Sequence, residues 1–331
     1  MKKVIIWFVV AVSVYVFWLF VPSNRIYLYV DKVYNAALNM QKVIQFLQDK
    51  RAAQIDASID LNKTGLIGEE FTELTTTTGD LQAKRTSTNP DMAALICHLL
   101  IESGVKKDDC VAVGASGSFP GLIVATLSAC KAIGARALVI CSVGSSQWGA
   151  NQLDFNLLDL FKWLTEIGFE KPLLFSYGGS DNKGSDFSQE LKDKIREKAN
   201  GYGFDFYEGI TFEEDARKFF EIYLNNCHSR IAAFVNIGGG LVNVGDSMDF
   251  ALQSGVVTDR TIFDDRSVSG LMNNNGIPVI SLLNMRKLVT EYGLSWDPIP
   301  LPKVSEKRYE NLLKRFTKLH SVSPTVQDNT R

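Results

Sequence analysis

The segment Gly114-Ala115-Ser116-Gly117-Ser118 presents a serine in a setting suited to nucleophilic chemistry. Hydrolases of the α/β type hold their serine in a G-x-S-x-G turn between a strand and a helix. Here serine replaces the last glycine of that motif. The flanks nevertheless fit, because Cys110 to Val113 predicts a short buried strand and Pro120 suits the first turn of a helix. Ser116 is therefore the candidate catalytic residue.

A serine nucleophile needs a base that takes its proton. The three histidines are His98 on an early helix, His228 before a strand and His320 in the tail. None follows a late strand, where such hydrolases place the base, and we interpret His98 as a core or boundary residue. A lysine base stays open, with Lys84 or Lys183 as candidates, although no spacing requires either.

Other common chemistries lack their motifs. The sequence contains neither the dinucleotide fingerprint G-x-G-x-x-G nor the P-loop G-x-x-x-x-G-K-[ST]. No CxxC or Cys/His spacing typical of a metal site occurs, so we predict no cofactor and no metal. The formal net charge is −2, which gives no reason to expect nucleic acid as a partner.

Small polar residues recur after the predicted strands and could form one ligand pocket. Backbone N–H groups in glycine-rich turns receive anions, and serine and asparagine side chains add neutral hydrogen bonds. The adjacent cations Lys84 and Arg85 could receive a carboxylate or phosphate. The alternative is that the glycines only permit tight turns and that residues 61–90 form a solvated loop. The predicted ligand-binding residues are Gly114, Gly117, Ser118, Ser145, Ser146, Lys84, Arg85, Asn236, Gly238, Gly239 and Gly240.

Alternating strand and helix patterns would bring these turns together. Apolar strands are predicted at 110–113, 137–143, 171–177, 204–208, 231–237 and 277–282, and helical patterns separate most of them. Such alternation predicts crossover units. We therefore expect an α/β fold with a mainly parallel, doubly wound sheet and helices on both faces.

The N-terminus predicts a membrane anchor. Residues 4–21 carry no charge and would span about 27 Å as a helix, enough to cross a bilayer core. Lys2 and Lys3 precede this run, which favours a cytoplasmic N-terminus and an extracytoplasmic chain. A cleaved signal peptide is the alternative, although bulky residues end the run instead of an A-x-A site. The five cysteines all have apolar neighbours, and we expect buried thiols with no disulfide framework.

Four segments follow from these patterns. Residues 1–22 form the anchor and 23–60 an amphipathic helix beside the membrane, whose apolar stripe could be a stalk, an oligomer contact or a packing surface. Residues 61–297 form the α/β domain. Residues 298–331 form a charged helix and a disordered tail.

The anchor, the stretch LTTTTGDLQAKRTSTNPD (74–91) and VAVGASGSFPGL (111–122) together resemble the bacterial poly-γ-glutamate system proteins of the PgsW type. The resemblance extends through Asn236-Ile237-Gly238-Gly239-Gly240. It implies a role in making or exporting poly-γ-glutamate, an anionic capsule or released polymer, at the cell membrane. It implies no catalytic residues.

Two functional hypotheses concern this polymer system, and a small-ligand-binding domain of unrelated role is a third possibility. In the first, the protein is a single-pass membrane component that binds the polymer or its synthase without turnover, which the missing base favours. In the second, it is a serine-dependent hydrolase or transferase acting on γ-glutamyl amide bonds, with Ser116 as nucleophile.

Overall fold

A seven-stranded sheet forms the centre of the protein, for which the computed structural model describes residues 29–320. The strands are β1 (Thr75–Thr77), β2 (Cys110–Ser116), β3 (Arg136–Ser142), β4 (Ser145–Ser146), β5 (Asn151–Gln152), β6 (Phe155–Asn156), β7 (Leu174–Ser176), β8 (Phe206–Tyr207), β9 (Ile231–Ile237), β10 (Gly255–Val256) and β11 (Val279–Ser281). The helices are α1 (Val30–Lys50), α2 (Leu81–Ser87), α3 (Pro90–Glu102), α4 (Pro120–Ile133), α5 (Leu157–Glu166), α6 (Gln189–Tyr202), α7 (Phe212–Asn226), α8 (Leu241–Val244), α9 (Met248–Ala251), α10 (Val268–Asn274), α11 (Met285–Glu291) and α12 (Glu306–His320).

The strand order creates a switch point beside β2. The order is β10-β11-β9-β2-β3-β7-β8, and all neighbours run parallel except β10, which is antiparallel to β11. The chain first moves outward from β2 through β3, β7 and β8, and β9 then returns to the opposite side of β2. Open α/β sheets bind ligands where the order reverses in this way, outside the carboxyl ends of the strands.

Side chains of β2 alternate between two apolar layers. Val111 and Val113 join the larger core with α1, α3 and α4, whereas Cys110 and Ala112 join a second core with α7 and α10. A strand that buries both faces needs helices on both faces of the sheet. The predicted α/β fold with a mainly parallel sheet is confirmed.

The first and last described helices belong to the same core. Residues of the α1 stripe, including Val33, Met40 and Leu47, are fully buried, so this predicted amphipathic helix packs onto the domain. At the other end of the chain, Tyr309 of α12 donates a hydrogen bond to the buried Asp91 of α3 at 3.0 Å, and Arg308 pairs with the same carboxylate. Both helices are therefore structural parts of the domain.

The predicted anchor at 4–21 and the tail beyond residue 320 lie outside the described residues. Within residues 29–320, no helix has the length and apolar character that crossing a bilayer requires.

One disulfide corrects the expectation that all five cysteines are buried thiols. Cys110, at the start of β2, is bonded to Cys227, just after α7, with their Cα atoms 6.1 Å apart. The two are separated by 117 positions in sequence, so their spacing gave no signal before the sheet was assembled. Cys97, Cys130 and Cys141 are buried and free, as expected.

Candidate functional site

A cavity of about 680 Å³ opens at the carboxyl ends of the central strands, beside the switch point. Its wall combines ends of strands with the loops that follow them. Its lining residues include Lys84, Ser116, Ser118, Phe119, Ser146, Gly239, Gly240, Arg286 and Trp296.

Helix α2 places Lys84 inside this cavity. The side chain of Asp80 caps the helix by accepting the Ala83 N–H at 3.0 Å, so a short helix forms within the stretch that could have been a solvated loop. One face of α2 turns inward, and Lys84 is only 2% exposed. Its Nζ lies 3.9 Å from the centre of the Phe119 ring.

Lys84 Nζ contacts two oxygens at the cavity wall. It donates to the carbonyl oxygen of Ser118 and lies 2.5 Å from Ser146 Oγ. Burial lowers the pKa of Lys84 to about 7, because the charged form loses its hydration and the nearby Asp80 only partly opposes this. A large fraction of Lys84 is thus neutral near pH 7, and a neutral amine can accept the proton of Ser146.

The run of four threonines from Thr75 to Thr78 holds Ser146 in position. Strand β1 pairs in parallel with β4, with Thr75 opposite Ser145 and Thr77 opposite Ser146. Threonine is β-branched and favours such an extended segment. The Ser146 N–H donates to Ser118 Oγ at 3.1 Å, which ties this loop to the turn after β2. Ser146 is therefore held by strand pairing on one side and by the side chain of Ser118 on the other.

Ser116 lines the same cavity but has no base. It is 6% exposed, and its Oγ has no hydrogen-bond partner within the part of the chain that the structure describes. Gly238 lies against it, since a Cβ there would be 2.7 Å from Ser116 Oγ. The lysine that the sequence left open as a base thus contacts Ser146, and Ser146 fits the role of nucleophile better than Ser116.

Helix α4 begins at the cavity and adds electrostatic support. Phe119 is its N-cap residue and provides no side-chain hydrogen bond to the first turn. The N-terminus of a helix carries a partial positive charge. Pro120 has no N–H, and the N–H groups of Leu122 and Ile123 donate to the Phe119 carbonyl at 3.1 and 3.2 Å, so the support of α4 for negative charge in the cavity comes from this partial charge.

The structure separates the remaining sequence candidates into two groups. Ser118, Ser146, Lys84, Gly239 and Gly240 line the cavity, as predicted for ligand-binding residues. Gly114, Gly117, Ser145, Asn236 and Gly238 lie behind that wall and shape it.

Gly114 and Asn236 illustrate this supporting role. A Cβ on Gly114 would lie 2.6 Å from the side-chain oxygen of Asn243, so the glycine permits close packing of the loop that contains α8. Asn236 donates from Nδ2 to the Gly238 carbonyl at 3.0 Å and fixes the start of the glycine run.

Arg85 differs from the expectation. It points away from the cavity and forms a two-contact ion pair with Asp297, with Nε–Oδ1 at 2.8 Å and Nη2–Oδ2 at 2.5 Å. Consecutive residues of a helix point in directions about 100° apart, so Lys84 can face the cavity while Arg85 is directed toward Asp297. Lys183, the other lysine considered as a base, does not line the cavity either.

His98 lies in the core, as interpreted from the sequence. It is 1% exposed on α3, and its ring centre is 5.3 Å from that of Phe316. No histidine within the described residues lines the cavity.

Arg286 and Trp296 line the cavity although no sequence pattern marks them as site residues. Arg286 belongs to α11, and its guanidinium carbon lies 3.7 Å from the centre of the Trp296 ring. No local motif surrounds either residue, and only the fold brings them to the mouth of the cavity.

Comparison with models of known protein families and with curated proteins gives no match. Among solved structures, the chain is similar to a crystal structure of an archaeal alanine:glyoxylate aminotransferase, with 12% sequence identity over 85% of this chain and a TM-score of 0.16. The chain spans 62% of that protein's length. A TM-score this low carries no argument about fold or function.

Proposed function

We propose that this protein is a serine-dependent hydrolase or transferase of amide bonds, with Ser146 as nucleophile and Lys84 as its base. The observation that carries the proposal is the 2.5 Å contact between Ser146 Oγ and the buried Lys84 Nζ. A serine beside a lysine of lowered pKa is an established solution to nucleophile activation. The cavity around the pair has room for a chain segment.

The proposed reaction balances as an acyl transfer. Ser146 Oγ attacks the amide carbonyl carbon while its proton passes to Lys84 Nζ. The carbon–nitrogen bond then breaks, and the leaving amine takes the proton from Lys84. Water releases the acyl group from Ser146 in hydrolysis, and a second amine releases it in transfer. The N-terminus of α4 favours the negative charge on the carbonyl oxygen.

The resemblance to poly-γ-glutamate system proteins suggests the substrate and the location. We propose poly-γ-glutamate as the chain, and a single-pass protein anchored in the cytoplasmic membrane through residues 4–21 with its domain outside. The Cys110–Cys227 disulfide supports the outward orientation, because disulfides persist in oxidising compartments. This role would belong to biosynthesis, trimming or export of the polymer.

A binding or assembly role without turnover is the second candidate. The partnerless hydroxyl of Ser116 favours it, because a buried polar atom of this kind suits a ligand hydrogen bond. The same cavity would then hold the polymer for its synthase.

Polymer cleavage by the full-length protein in detergent tests the proposal. Poly-γ-glutamate is incubated with the protein, and its chain length is followed by size-exclusion chromatography. We expect Ser146→Ala to reduce the rate by at least about a hundredfold, since it removes the nucleophile. Lys84→Met should cause a comparable loss.

Ser116→Ala is the matched control, because it removes a hydroxyl from the same cavity without touching Lys84. It should retain most of the activity. Loss of cleavage in Ser116→Ala with activity kept in Ser146→Ala would contradict the assignment of the nucleophile. Binding of the polymer without any change in its length in the wild-type protein would favour the second candidate.

A further inference from the structure

We propose that Arg286 and Trp296 form a carboxylate subsite at the mouth of the cavity, which selects acidic chains over neutral ones. This inference rests on the proposed function for the reaction at Ser146, whereas binding of a carboxylate at Arg286 does not depend on that reaction. The subsite would hold one carboxylate of the chain while the amide reaches Ser146.

The aromatic ring fixes the position of the cation. Trp296 Nε1 donates to the side-chain oxygen of Gln82 at 3.2 Å, which anchors the ring against α2. The guanidinium of Arg286 then lies over this ring, 3.7 Å from its centre. Stacking uses the face of the guanidinium and leaves the N–H groups along its edge free to bind a ligand.

Arg286 also lacks a counter-ion within the described part of the chain. No carboxylate there forms a salt bridge with it, although it is an exposed cation at a cavity mouth. Asp297, which follows Trp296 in sequence, is already paired with Arg85. The adjacent Lys287 is paired with Glu291 at 3.9 Å. Arg286 therefore offers an uncompensated charge that a ligand can satisfy.

A carboxylate is the ligand that this arrangement fits best. The planar guanidinium edge matches two carboxylate oxygens in a two-contact geometry. The other polar side chains of the cavity are mainly serine and threonine hydroxyls, and Lys84 carries only part of a charge near pH 7. The carboxylate of Asp80 also lines the cavity, where it accepts the Ala83 N–H as the cap of α2. Arginine also binds phosphate through two contacts, so competition with inorganic phosphate separates the two kinds of ligand.

Binding is measured on the full-length protein with Ser146→Ala, so that turnover does not interfere. The probe is a γ-linked glutamate oligomer, compared with the same oligomer as its neutral methyl ester, and tryptophan fluorescence gives the readout. We expect Arg286→Ala to weaken binding of the acid oligomer by about tenfold or more, since a hydrogen bond to a charged group is lost. Binding of the ester should not change.

Lys287→Ala is the matched control, because it removes the same charge from the same helix outside the cavity. It should bind the acid oligomer like its parent. Equal affinity of Arg286→Ala and its parent for the acid oligomer would overturn the subsite. Inorganic phosphate competing as strongly as the acid oligomer would overturn its selectivity for carboxylates.

The two proposals can fail separately. Arg286-dependent binding of the acid oligomer, without cleavage by the protein that retains Ser146, would reject the hydrolase and keep the subsite. In the protein that retains Ser146, a working subsite should appear as a higher KM in Arg286→Ala with kcat nearly unchanged. Cleavage with equal KM in both proteins would reject the subsite and keep the hydrolase.

Discussion

Lys84 is the residue on which the proposed site depends, because it is buried and its Nζ contacts Ser146. Its Nζ lies between a backbone carbonyl of the turn after β2 and the hydroxyl of Ser146. Burial removes the hydration of the ammonium form, which disfavours the charged state of Lys84. A buried lysine that forms no salt bridge among the described residues and has a lowered pKa is a candidate for a functional role.

The pH dependence of cleavage should follow the protonation of Lys84. Only its neutral form can accept the proton of Ser146, and burial lowers the pKa of Lys84 to about 7. We therefore expect kcat/KM to rise with pH through about 7 and then to level off. A pH–rate profile of the wild-type protein checks this, and a rise centred near the ordinary lysine value would contradict it.

The same group should make stability depend on pH. Because the pKa of Lys84 is about 7 in the folded protein and lies at its ordinary value when unfolded, the unfolded chain binds the proton more tightly between these values. Stability contributed at this site therefore rises with pH in that window. When the pH is lowered from about 9.5 to about 6, the wild-type protein should lose about 3 kcal/mol more unfolding free energy than Lys84→Met loses.

Urea unfolding of both proteins at the two pH values gives this shift directly. The comparison between pH values cancels the pH-independent packing and hydrogen bonds that the substitution also changes. A difference that does not depend on pH would show that Lys84 keeps an ordinary pKa.

At the scale of elements, the contact between α2 and α4 aligns Lys84 with the serine turns. Gly121 in the first turn of α4 lies against Ser87 of α2, where a Cβ would be 2.6 Å from Ser87 Oγ and 2.7 Å from its carbonyl oxygen. Ser87 Oγ in turn donates to the Lys84 carbonyl at 2.6 Å. A displacement of α2 would therefore move the base.

Gly121→Ala tests this alignment. The new methyl group has no space, so α2 must shift, and we expect a loss of about 1–3 kcal/mol in unfolding free energy with a clear fall in cleavage rate. Thermal unfolding and the polymer assay measure the two effects. Gly201→Ala on α6 is the control, because nothing lies within 4 Å of its new Cβ, and it should be neutral or slightly stabilising.

At the scale of the whole molecule, the return of β9 beside β2 creates the cleft, and contacts distant in sequence hold the layers around it. Asp91 on α3 joins α12 to the larger core through Tyr309 and Arg308. On the other side of the sheet, the Cys110–Cys227 bond ties the start of β2 to the end of α7. The central strand is thus fixed at the end opposite to the cavity.

The disulfide predicts a thiol count and a loss of stability. Titration of the denatured, unreduced protein should find the three free thiols of Cys97, Cys130 and Cys141, and all five after reduction. Cys227→Ser should lower the unfolding free energy by about 2–4 kcal/mol in the absence of reductant, because the unfolded chain regains entropy. Five reactive thiols before reduction would contradict the bond.

The sequence by itself determined the class of fold and the location of the turns. The β2 strand, the α4 helix opened by Pro120 and the Asn89-capped helix α3 all have local signals, because propensity, capping and turn chemistry act over a few residues. The recurrence of glycine and serine after apolar strands also indicated a pocket at one edge of the sheet, and Ser118, Ser146 and Lys84 do line one cavity.

Only the tertiary structure decided which of these residues act together. Lys84 meets Ser146 across 62 positions, Arg85 pairs with Asp297 across 212, and Cys110 is bonded to Cys227 across 117. Such pairings depend on strand order and helix rotation, which local patterns do not encode. For the same reason, no sequence pattern indicated Arg286 or Trp296. Their stacking contact forms only because the fold brings α11 and the segment after it together at the mouth of the cavity.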